Sequence, residues 1–409
     1  MIKMTKKLPV ILLLFAVMVV ALNFFSFPVT ASSVTEIGPS ALQSNPAAVN
    51  ADQHFFNLIM GGKAELWNNL LVNDYIDEEM KDNYLQKIED TGFIVNDDVN
   101  IGSSLSLGPV TAFAGGNEQM MVTLPYKAAE LLLRGNEDWD LDNYNLDLAG
   151  TEGSFSVYGN AGGNLSFALP DSYLESIDLD VDNLYLGFNY HYVTGVIGEV
   201  VADGDISIEF DENGYPYIAE TENDPWVEVR YNDPQQGDLA TGHVLDFGLY
   251  TELSDSLALG FSYMNLGSLE VEGIMYYNYP LSAEEETDSG EVDKKYRSEE
   301  KLTHKLPSEL RGGVRLDRGW YAAYSEFLRR SYPRFSDTQL TVGGIFKYVS
   351  WLPLELAGTF SSLRNDIFLE AKTGFSPGPI KTEVKVSDLM GVFNRARSAS
   401  IGLNFGLEF

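Results

Sequence analysis

The chain of 409 residues contains no cysteine, which excludes disulfide bonds and thiolate metal sites. Histidine is also scarce: there are four, at His54, His191, His243 and His304. Their spacing does not indicate a Ser-His-acid arrangement. No glycine-rich stretch has the pattern of a phosphate-binding loop. We therefore predict that the protein is not an enzyme and that it has no catalytic residues, no cofactor and no metal site.

Basic residues are few compared with acidic ones. Lys and Arg together number 27 against 60 Asp and Glu, giving a formal net charge of -33. So acidic a surface repels nucleic acid, which we exclude as a partner. Residues 178–183 resemble the opening of a calcium loop but lack its Gly and closing Glu, so we interpret them as a solvated acidic turn. Divalent-cation binding by the acidic loops stays open.

A long apolar run occurs only at the start of the chain, from Leu8 to Phe27. Lys3, Lys6 and Lys7 precede it, and small residues follow at positions 29–31. This pattern predicts an export signal peptide over residues 1–31, with an uncleaved anchoring helix as the alternative. No later segment is apolar for as long, so any further membrane contact would be made by strands, whose alternation averages out in a hydropathy window.

The last twelve residues alternate strictly between apolar and polar or small side chains. One face of an extended strand would carry Ala399, Ile401, Leu403, Phe405, Leu407 and Phe409. Twelve residues at about 3.3 Å each, tilted, cross the apolar part of a bilayer. The segment resembles the C-terminal signature of bacterial outer-membrane barrels, in which Phe405, Leu407 and Phe409 would signal to the barrel-assembly machinery. The last strand of a soluble sandwich is the alternative.

Further segments repeat this alternation, and their connections differ in length. Connections near residues 317, 349 and 377 are tight, whereas residues 202–238 and 280–305 form long acidic loops. Short turns at one end and long loops at the other are typical of outer-membrane barrels. The strands are predicted near residues 98–107, 109–124, 138–149, 152–168, 182–198, 238–253, 257–279, 306–316, 319–330, 338–348, 352–362, 365–375, 379–388 and 398–409.

The predicted fold class is therefore all-β: a transmembrane antiparallel β-barrel of about 14 strands over residues 98–409, with both ends on the periplasmic side. Residues 32–97 do not alternate in the same way and are predicted to form a small N-terminal plug with a short helix near residues 78–89. A second short helix is predicted over residues 127–134, on the periplasmic side by the same strand count.

The predicted plug contains Asn45, Pro46 and Ala47, a turn-prone triplet shortly after the signal. Together with a barrel ending in Phe, this layout resembles the FadL-like long-chain fatty acid transporters and their PorV-like relatives associated with secretion. Two further echoes are Asn265-Leu266-Gly267 and Leu306-Pro307-Ser308. The resemblance implies an outer-membrane barrel whose plug motif would move to open a path.

The face opposite the apolar one is predicted to line the lumen. Acids and bases occur together on this face, and we expect them to pair across the interior rather than to form a specific site. The lumen-facing candidates are Tyr185, Asn189, His191, Asp246, Arg311, Arg315, Lys347, Glu355, Glu370 and Lys372.

The sequence thus predicts a protein of the outer membrane of a diderm bacterium, in contact with lipid. Porin-like passive transport of small hydrophobic molecules by a FadL-like route is the leading hypothesis. The alternative is a structural or secretion-associated PorV-like barrel that binds a protein partner. An apolar cavity reaching a gap in the wall would favour transport, whereas a lumen filled by paired charges would favour the partner role.

Overall fold

The structure is a computed structural model of the whole chain. It describes Glu36 and residues 38–51, 56–68, 77–134, 144–176, 181–210, 216–219, 223–280, 293–349, 351–387, 389 and 398–408. The predicted signal peptide and Phe409 lie outside these residues. In the parts of the chain that are described, no helix combines the length and the apolar character needed to cross a membrane.

Strands dominate the architecture. In chain order they are β1 (Phe56–Asn68), β2 (Phe93–Leu107), β3 (Val110–Leu124), β4 (Tyr144–Asp147), β5 (Thr151–Ala168), β6 (Asn183–Asp203), β7 (Asp205–Phe210), β8 (Pro216–Ala219), β9 (Trp226–Tyr231), β10 (Ala240–Ser254), β11 (Leu257–Pro280), β12 (Asp293–Lys305), β13 (Ser308–Asp317), β14 (Tyr321–Ser331), β15 (Ser336–Phe346), β16 (Leu354–Ser361), β17 (Asp366–Phe375), β18 (Ile380–Ser387) and β19 (Ser398–Glu408).

Within the described residues, fourteen of these strands pair antiparallel in a closed ring; β4, β7, β8, β9 and β12 lie outside it. The predicted fold class, an antiparallel barrel of about fourteen strands, is confirmed. Closure leaves no sheet edge, which is what a sheet in hydrocarbon requires, since each backbone group without a partner there costs several kcal/mol.

Side chains alternate across the wall as the sequence predicts. The outward positions are apolar and exposed, among them Met60, Ile101, Leu165, Phe188, Phe247, Phe261, Val342, Phe360, Ile367, Ile401 and Phe405. The inward positions are polar and buried, among them Asn57, Lys63, Ser104, Asn189, Asp246, Glu309 and Arg311. The outer surface therefore suits lipid, and the lumen holds the charges.

The first barrel strand lies where the sequence predicts the plug. Strand β1 pairs with β2 on one side and with β19 on the other, so it closes the ring. The predicted start of the barrel at residue 98 is therefore wrong, as is the assignment of residues 56–68 to the plug. Lys63 and Glu65 point inwards while Met60 points outwards, and the glycines at 61 and 62 weaken this alternation in the sequence.

The predicted strand over residues 138–149 is not part of the barrel. Of this stretch the structure describes residues 144–149, in which β4 pairs with β7 in a separate three-stranded sheet completed by β8. Asp147 is exposed on this strand, and a carboxylate is unfavourable on a lipid-facing position. The predicted count of fourteen survives because one strand is lost here and another is gained at β1.

The two rims differ as the sequence predicts, but neither helix lies where expected. The helix predicted on the periplasmic side lies on the opposite rim, and the helix predicted within the plug lies on that same rim, outside the plug. The turns after residues 317, 346 and 375 are short and lie on the rim where β19 ends. Helix α1 (Glu78–Lys87) connects β1 to β2 across the far rim, and helix α2 (Tyr126–Arg134) follows β3 there. They pack on each other around Leu85, Ile88 and Ala129. Helix α3 (Asp171–Ser176) lies on the near rim, between β5 and β6.

Strands β6 and β11 are the longest, with 21 and 24 residues. A tilted strand crosses a membrane with about 9–11 residues, so both extend well past the far rim. There β9 pairs with the ends of both strands, and β12 pairs with residues 268–278 of β11. Beneath this extension an aliphatic cluster is buried, formed by Val193, Ile197, Ala240, Val244, Leu269, Val271, Ile274, Leu302 and Leu306.

Candidate functional site

The N-terminal segment before β1 lies inside the barrel. We use "plug" for its described part, Glu36 and residues 38–51. It contains two short 3-10 helices, Gly38–Gln43 and Ala48–Asn50, separated by the Asn45-Pro46-Ala47 turn. The backbone of Ala47 donates to the side-chain oxygen of Asn45 over 3.1 Å, which fixes this turn. Asn45 and Ala47 are fully buried.

Hydrogen bonds hold the plug against four adjacent strands, β5, β6, β10 and β11. Ser262 of β11 donates to the carbonyl of Ser44. The others are Asn164 Nδ2 to the Pro46 carbonyl (3.1 Å), Ser166 Oγ to the Ala47 carbonyl (2.7 Å), Asn189 Nδ2 to the Leu42 carbonyl (3.0 Å) and Asn45 Nδ2 to the Leu249 carbonyl (3.0 Å). The first four bonds satisfy plug carbonyls that burial would otherwise leave without partners, and the last satisfies the side-chain amide of Asn45.

Two glycines let the plug approach this wall. Gly187 of β6 and Gly248 of β10 lie opposite each other in the sheet. A Cβ at Gly187 would overlap the backbone of Pro46 and Ala47, and one at Gly248 would overlap the side chain of Asn45. The Asn-Pro-Ala turn thus lies directly on a flat patch of backbone, a close approach that only glycine permits.

On the far-rim side of this contact between the plug and the glycines, Asp246 of β10 links β6, β10 and β11 by hydrogen bonds. Its carboxylate, fully buried, accepts from Asn189 Nδ2 (2.9 Å) and from the backbone of Asn265 (2.7 Å). His191 Nε2 lies 2.6 Å from the same carboxylate, and its ring packs on Phe113. Three lumen candidates of the sequence therefore converge in one hydrogen-bonded group directly over the plug.

A cavity of about 210 Å³ lies between the plug and the far rim. One of its walls is largely apolar and continues the aliphatic cluster under the strand extension, with His191 and Asp246 as its polar members; its apolar members are Phe113, Tyr158, Val193, Val244, Met264 and Leu306. The other wall is charged and comprises Lys63, Asp98, Glu118, Glu309, Arg311 and Arg330. We call this the outer cavity. Its two walls differ in polarity, so it suits a molecule with an apolar body and a polar group.

Most charges of that wall are paired. Glu309 bonds Arg311 at 2.5 Å and Arg330 at 2.6 Å, and all three side chains are buried. Lys63 contacts Glu65, which also bonds Arg364 at 2.6 Å. Such pairing keeps buried charges from being left isolated, which would be strongly destabilising.

A second cavity, of about 310 Å³, lies between the plug and the near rim. We call it the inner cavity. Its lining includes Lys347, Glu355, Lys372, Lys381 and Glu383. Lys372 Nζ lies 3.0 Å from the plug residue Glu36 and 3.3 Å from Glu383.

Glu36 has little contact with solvent in this cavity. Burial raises the pKa of its carboxyl to about 7, although Lys372 acts in the opposite direction; Glu383 and Glu355 add to the increase. Two carboxylates share one lysine here, which leaves the Glu36 charge incompletely compensated.

The two sequence echoes, Asn265-Leu266-Gly267 and Leu306-Pro307-Ser308, face each other in the wall. Pairing of β11 with β13 stops at Met264 and Glu309, and pairing of β11 with β12 begins at Ser268. In the interval, Asn265 has a positive φ of 59° and its side-chain amide donates to the Pro307 carbonyl over 3.3 Å. Both echoes line the outer cavity, so the regular ladder is interrupted where the cavity meets the wall.

The structure places all ten lumen candidates on the inner face, but in separate groups. Asn189, His191 and Asp246 lie above the plug, whereas Tyr185 packs beside the plug in a buried cluster with Tyr250. Arg311 belongs to the charged wall of the outer cavity. Of the remaining five, Arg315, Lys347, Glu355 and Lys372 line the inner cavity towards the near rim, and Glu370 pairs with Lys385 at 2.5 Å. Lys347 pairs with Asp317, not with the group around Arg311.

Sequence reasoning missed several residues of both cavities, among them Glu36, Lys63, Arg330 and Asn404. Lys63 was hidden because β1 was assigned to the plug. Asn404 alternates with the apolar face of the last strand, and its inward position was therefore readable. No sequence pattern identifies Glu36, since its role depends on Lys372, far away in the chain. Of the predicted C-terminal signal, Phe405 points outwards, Leu407 is half-buried, and Phe409 is not described.

Comparison with known proteins finds likeness in structure alone. No family model and no curated protein matches the sequence. Among solved structures, the toluene transporter TbuX of Ralstonia pickettii is similar, with a TM-score of 0.51 and 10% identity over 93% of this chain and 96% of that one. The Pseudomonas putida toluene transporter TodX gives a TM-score of 0.49 and 11% identity, covering 93% and 98%.

A FadL homologue of Pseudomonas aeruginosa also matches, with a TM-score of 0.45 and 11% identity over 94% of this chain and 99% of that one. At such low identity the likeness to TbuX shows a shared fold over nearly the full length of both chains. The predicted resemblance to FadL-like barrels is confirmed for the fold.

Proposed function

We propose that the protein is a passive channel of the outer membrane for small molecules with an apolar body and a polar group. The carrying observation is the outer cavity, which has an apolar wall and a charged wall and lies over the plug. Molecules of this kind would lose apolar surface to one wall while their polar groups find hydrogen-bonding partners on the other. The shared fold with a toluene transporter supports transport but leaves the substrate of this chain to experiment.

The wall next to this cavity supports the same proposal. Between Met264 and Ser268 the regular ladder gives way to two long bonds, from the Asn265 amide to the Pro307 carbonyl (3.3 Å) and from Leu306 N to the Gly267 carbonyl (3.4 Å), and this interval borders the cavity. An apolar surface that reaches such an interruption is the arrangement expected of a channel rather than of a sealed scaffold.

The paired charges favour a second candidate, a non-transporting barrel that presents its loops to a protein partner. Glu309 with Arg311, and Glu65 with Arg364, fill part of the lumen with ion pairs that a solute would have to pass. The two candidates differ in one measurable property, permeation.

The test uses liposomes that contain the refolded protein and trapped β-glucosidase, with 4-nitrophenyl glucoside outside. This probe is neutral and joins an aromatic ring to a polar sugar, and its hydrolysis inside releases a coloured product. We expect colour to develop at least tenfold faster than in protein-free liposomes, and faster still after deletion of residues 32–51. Rates equal to those of protein-free liposomes for both forms would contradict the channel and favour the scaffold.

A further inference from the structure

The plug does not fill the lumen evenly. The outer and inner cavities lie on opposite sides of its first 3-10 helix, yet Ser40, Ile59 and Asn404 line both of them. Ser40 belongs to the plug, Ile59 to β1 and Asn404 to β19. Among the described residues, these three therefore border both cavities, and they lie along one seam, between the plug and the β1–β19 pair.

The other flank of the plug is closed. Its turn lies directly on Gly187 and Gly248, with no space for a Cβ. Hydrogen bonds from Asn164, Ser166 and Asn189 fasten its backbone to β5 and β6. A solute could pass this flank only if the plug left its seat, whereas the seam needs no such step.

The seam is narrow but has few side chains. Gly61, directly opposite Asn404 in the sheet, lines the outer cavity, and Gly406 lines the inner one. A Cβ at Gly61 would overlap Asn404 Oδ1, so the amide of Asn404 lies across the space that glycine leaves open. That amide donates to Glu383 over 3.3 Å. Rotation of one side chain, at the cost of one hydrogen bond, would widen the connection.

We propose that solutes cross from the outer to the inner cavity along this seam while the plug stays docked, and that Asn404 determines which molecules pass. This inference rests on the proposed channel function. The constriction presents an uncharged amide, while both signs of charge lie above it, at Lys63 and Asp98, and below it, at Lys372 and Glu383. The route therefore favours small neutral molecules that form hydrogen bonds over ions of either sign.

The first test changes the constriction and uses the liposome assay with 4-nitrophenyl glucoside. Asn404→Trp fills the seam and should lower the rate at least tenfold. Asn404→Ala opens it and should raise the rate several-fold, which keeps the test decisive if the tryptophan variant fails to fold. Folding of both is checked by the shift in gel mobility on heating. Wild-type rates in a folded Trp variant, or in the Ala variant, would contradict the inference and favour exit through the interrupted wall near Asn265.

The second test fixes the plug in its seat. The chain has no cysteine, so Asn50→Cys with Ser166→Cys introduces the only two thiols. The side chain of Asn50 bonds the Ser166 carbonyl at 3.3 Å, within reach of the short fluorescent cross-linker dibromobimane. We expect the bridged protein to keep the rate of the unbridged double variant within twofold. Loss of flux on bridging would show that the plug must move and would overturn the inference.

These outcomes separate the inference from the function on which it rests. If the wild-type protein lets no probe through, the proposed channel function is wrong, and the proposed route along the seam is wrong as well. If the wild-type protein lets the probe through but bridging stops the flux, the proposed channel function is supported, and the seam is not the path that the probe takes.

Discussion

At the scale of single residues, the surroundings of Glu36 in the plug disfavour its negative charge. It is buried, its partner Lys372 also contacts Glu383, and Glu355 adds a further negative charge nearby. The pKa of its carboxyl is raised from the ordinary 4.5 to about 7 in the docked state. Between these two values the docked plug binds a proton that the released plug does not.

Plug docking should therefore depend on pH. A pKa raised in the docked state means that the contribution of Glu36 is fully present below pH 4.5 and is lost as the pH rises through 7. The difference corresponds to roughly 3 kcal/mol of docking free energy. Hydrogen exchange at the amides of residues 40–44, corrected for the intrinsic rate, should show weaker protection at pH 8.5 than at pH 5.

The matched control is Glu36→Gln, which keeps the shape of the side chain and removes its charge. Its protection should not change over the same pH range. If the wild type and Glu36→Gln responded alike to pH, another group would be responsible, and the assignment to Glu36 would be wrong.

At the scale of elements, the inside and outside faces of most strands could be predicted because a period of two is a strong and local signal. β15 is an example: Leu340 and Val342 point outwards, and Thr341 points inwards. The same signal failed for β1, where two glycines and an inward Lys63 hide the alternation. Contacts between elements that are far apart in the chain produce no local sequence pattern. The Glu36–Lys372 contact and the shared lining of the cavities therefore could not be predicted.

The strand faces can be tested at Val342, which is 61% exposed on the outside of β15. We expect Val342→Arg to destabilise the folded barrel by about 2–4 kcal/mol, because a charge on the lipid face at mid-depth is penalised by this amount. Val342→Leu keeps the position apolar and serves as the control, with stability close to wild type. Urea unfolding in lipid vesicles, followed by tryptophan fluorescence, gives both values. Equal midpoints for Arg and Leu would contradict the lipid-facing assignment.

At the scale of the whole molecule, the ring depends on β1, although the sequence suggests that this segment belongs to the plug. Strand β19 pairs with β18 on one side and with β1 on the other. Without β1, both β2 and β19 would have open edges, which cannot be tolerated in lipid.

Two deletions distinguish plug from wall. Removing residues 32–51 takes out the plug but leaves β1, so the protein should still fold into a barrel whose gel mobility shifts on heating. Removing residues 32–92 also takes out β1 and leaves β2 whole, and we expect aggregation on refolding and no such shift. A heat-modifiable barrel from the longer deletion would show that thirteen strands can close and would contradict the role assigned to β1.

The pairing of β1 with β19 also determines the order of events during biogenesis. The ribosome makes β1 first and β19 last of the fourteen barrel strands, so β1 waits for its partner until the other barrel strands have been made. Bringing two such distant segments together is slow, because the entropy of closing the loop is lost before any contact is gained. Until then the nascent protein exposes apolar side chains and unpaired strand edges. We expect it to depend on chaperones that prevent aggregation.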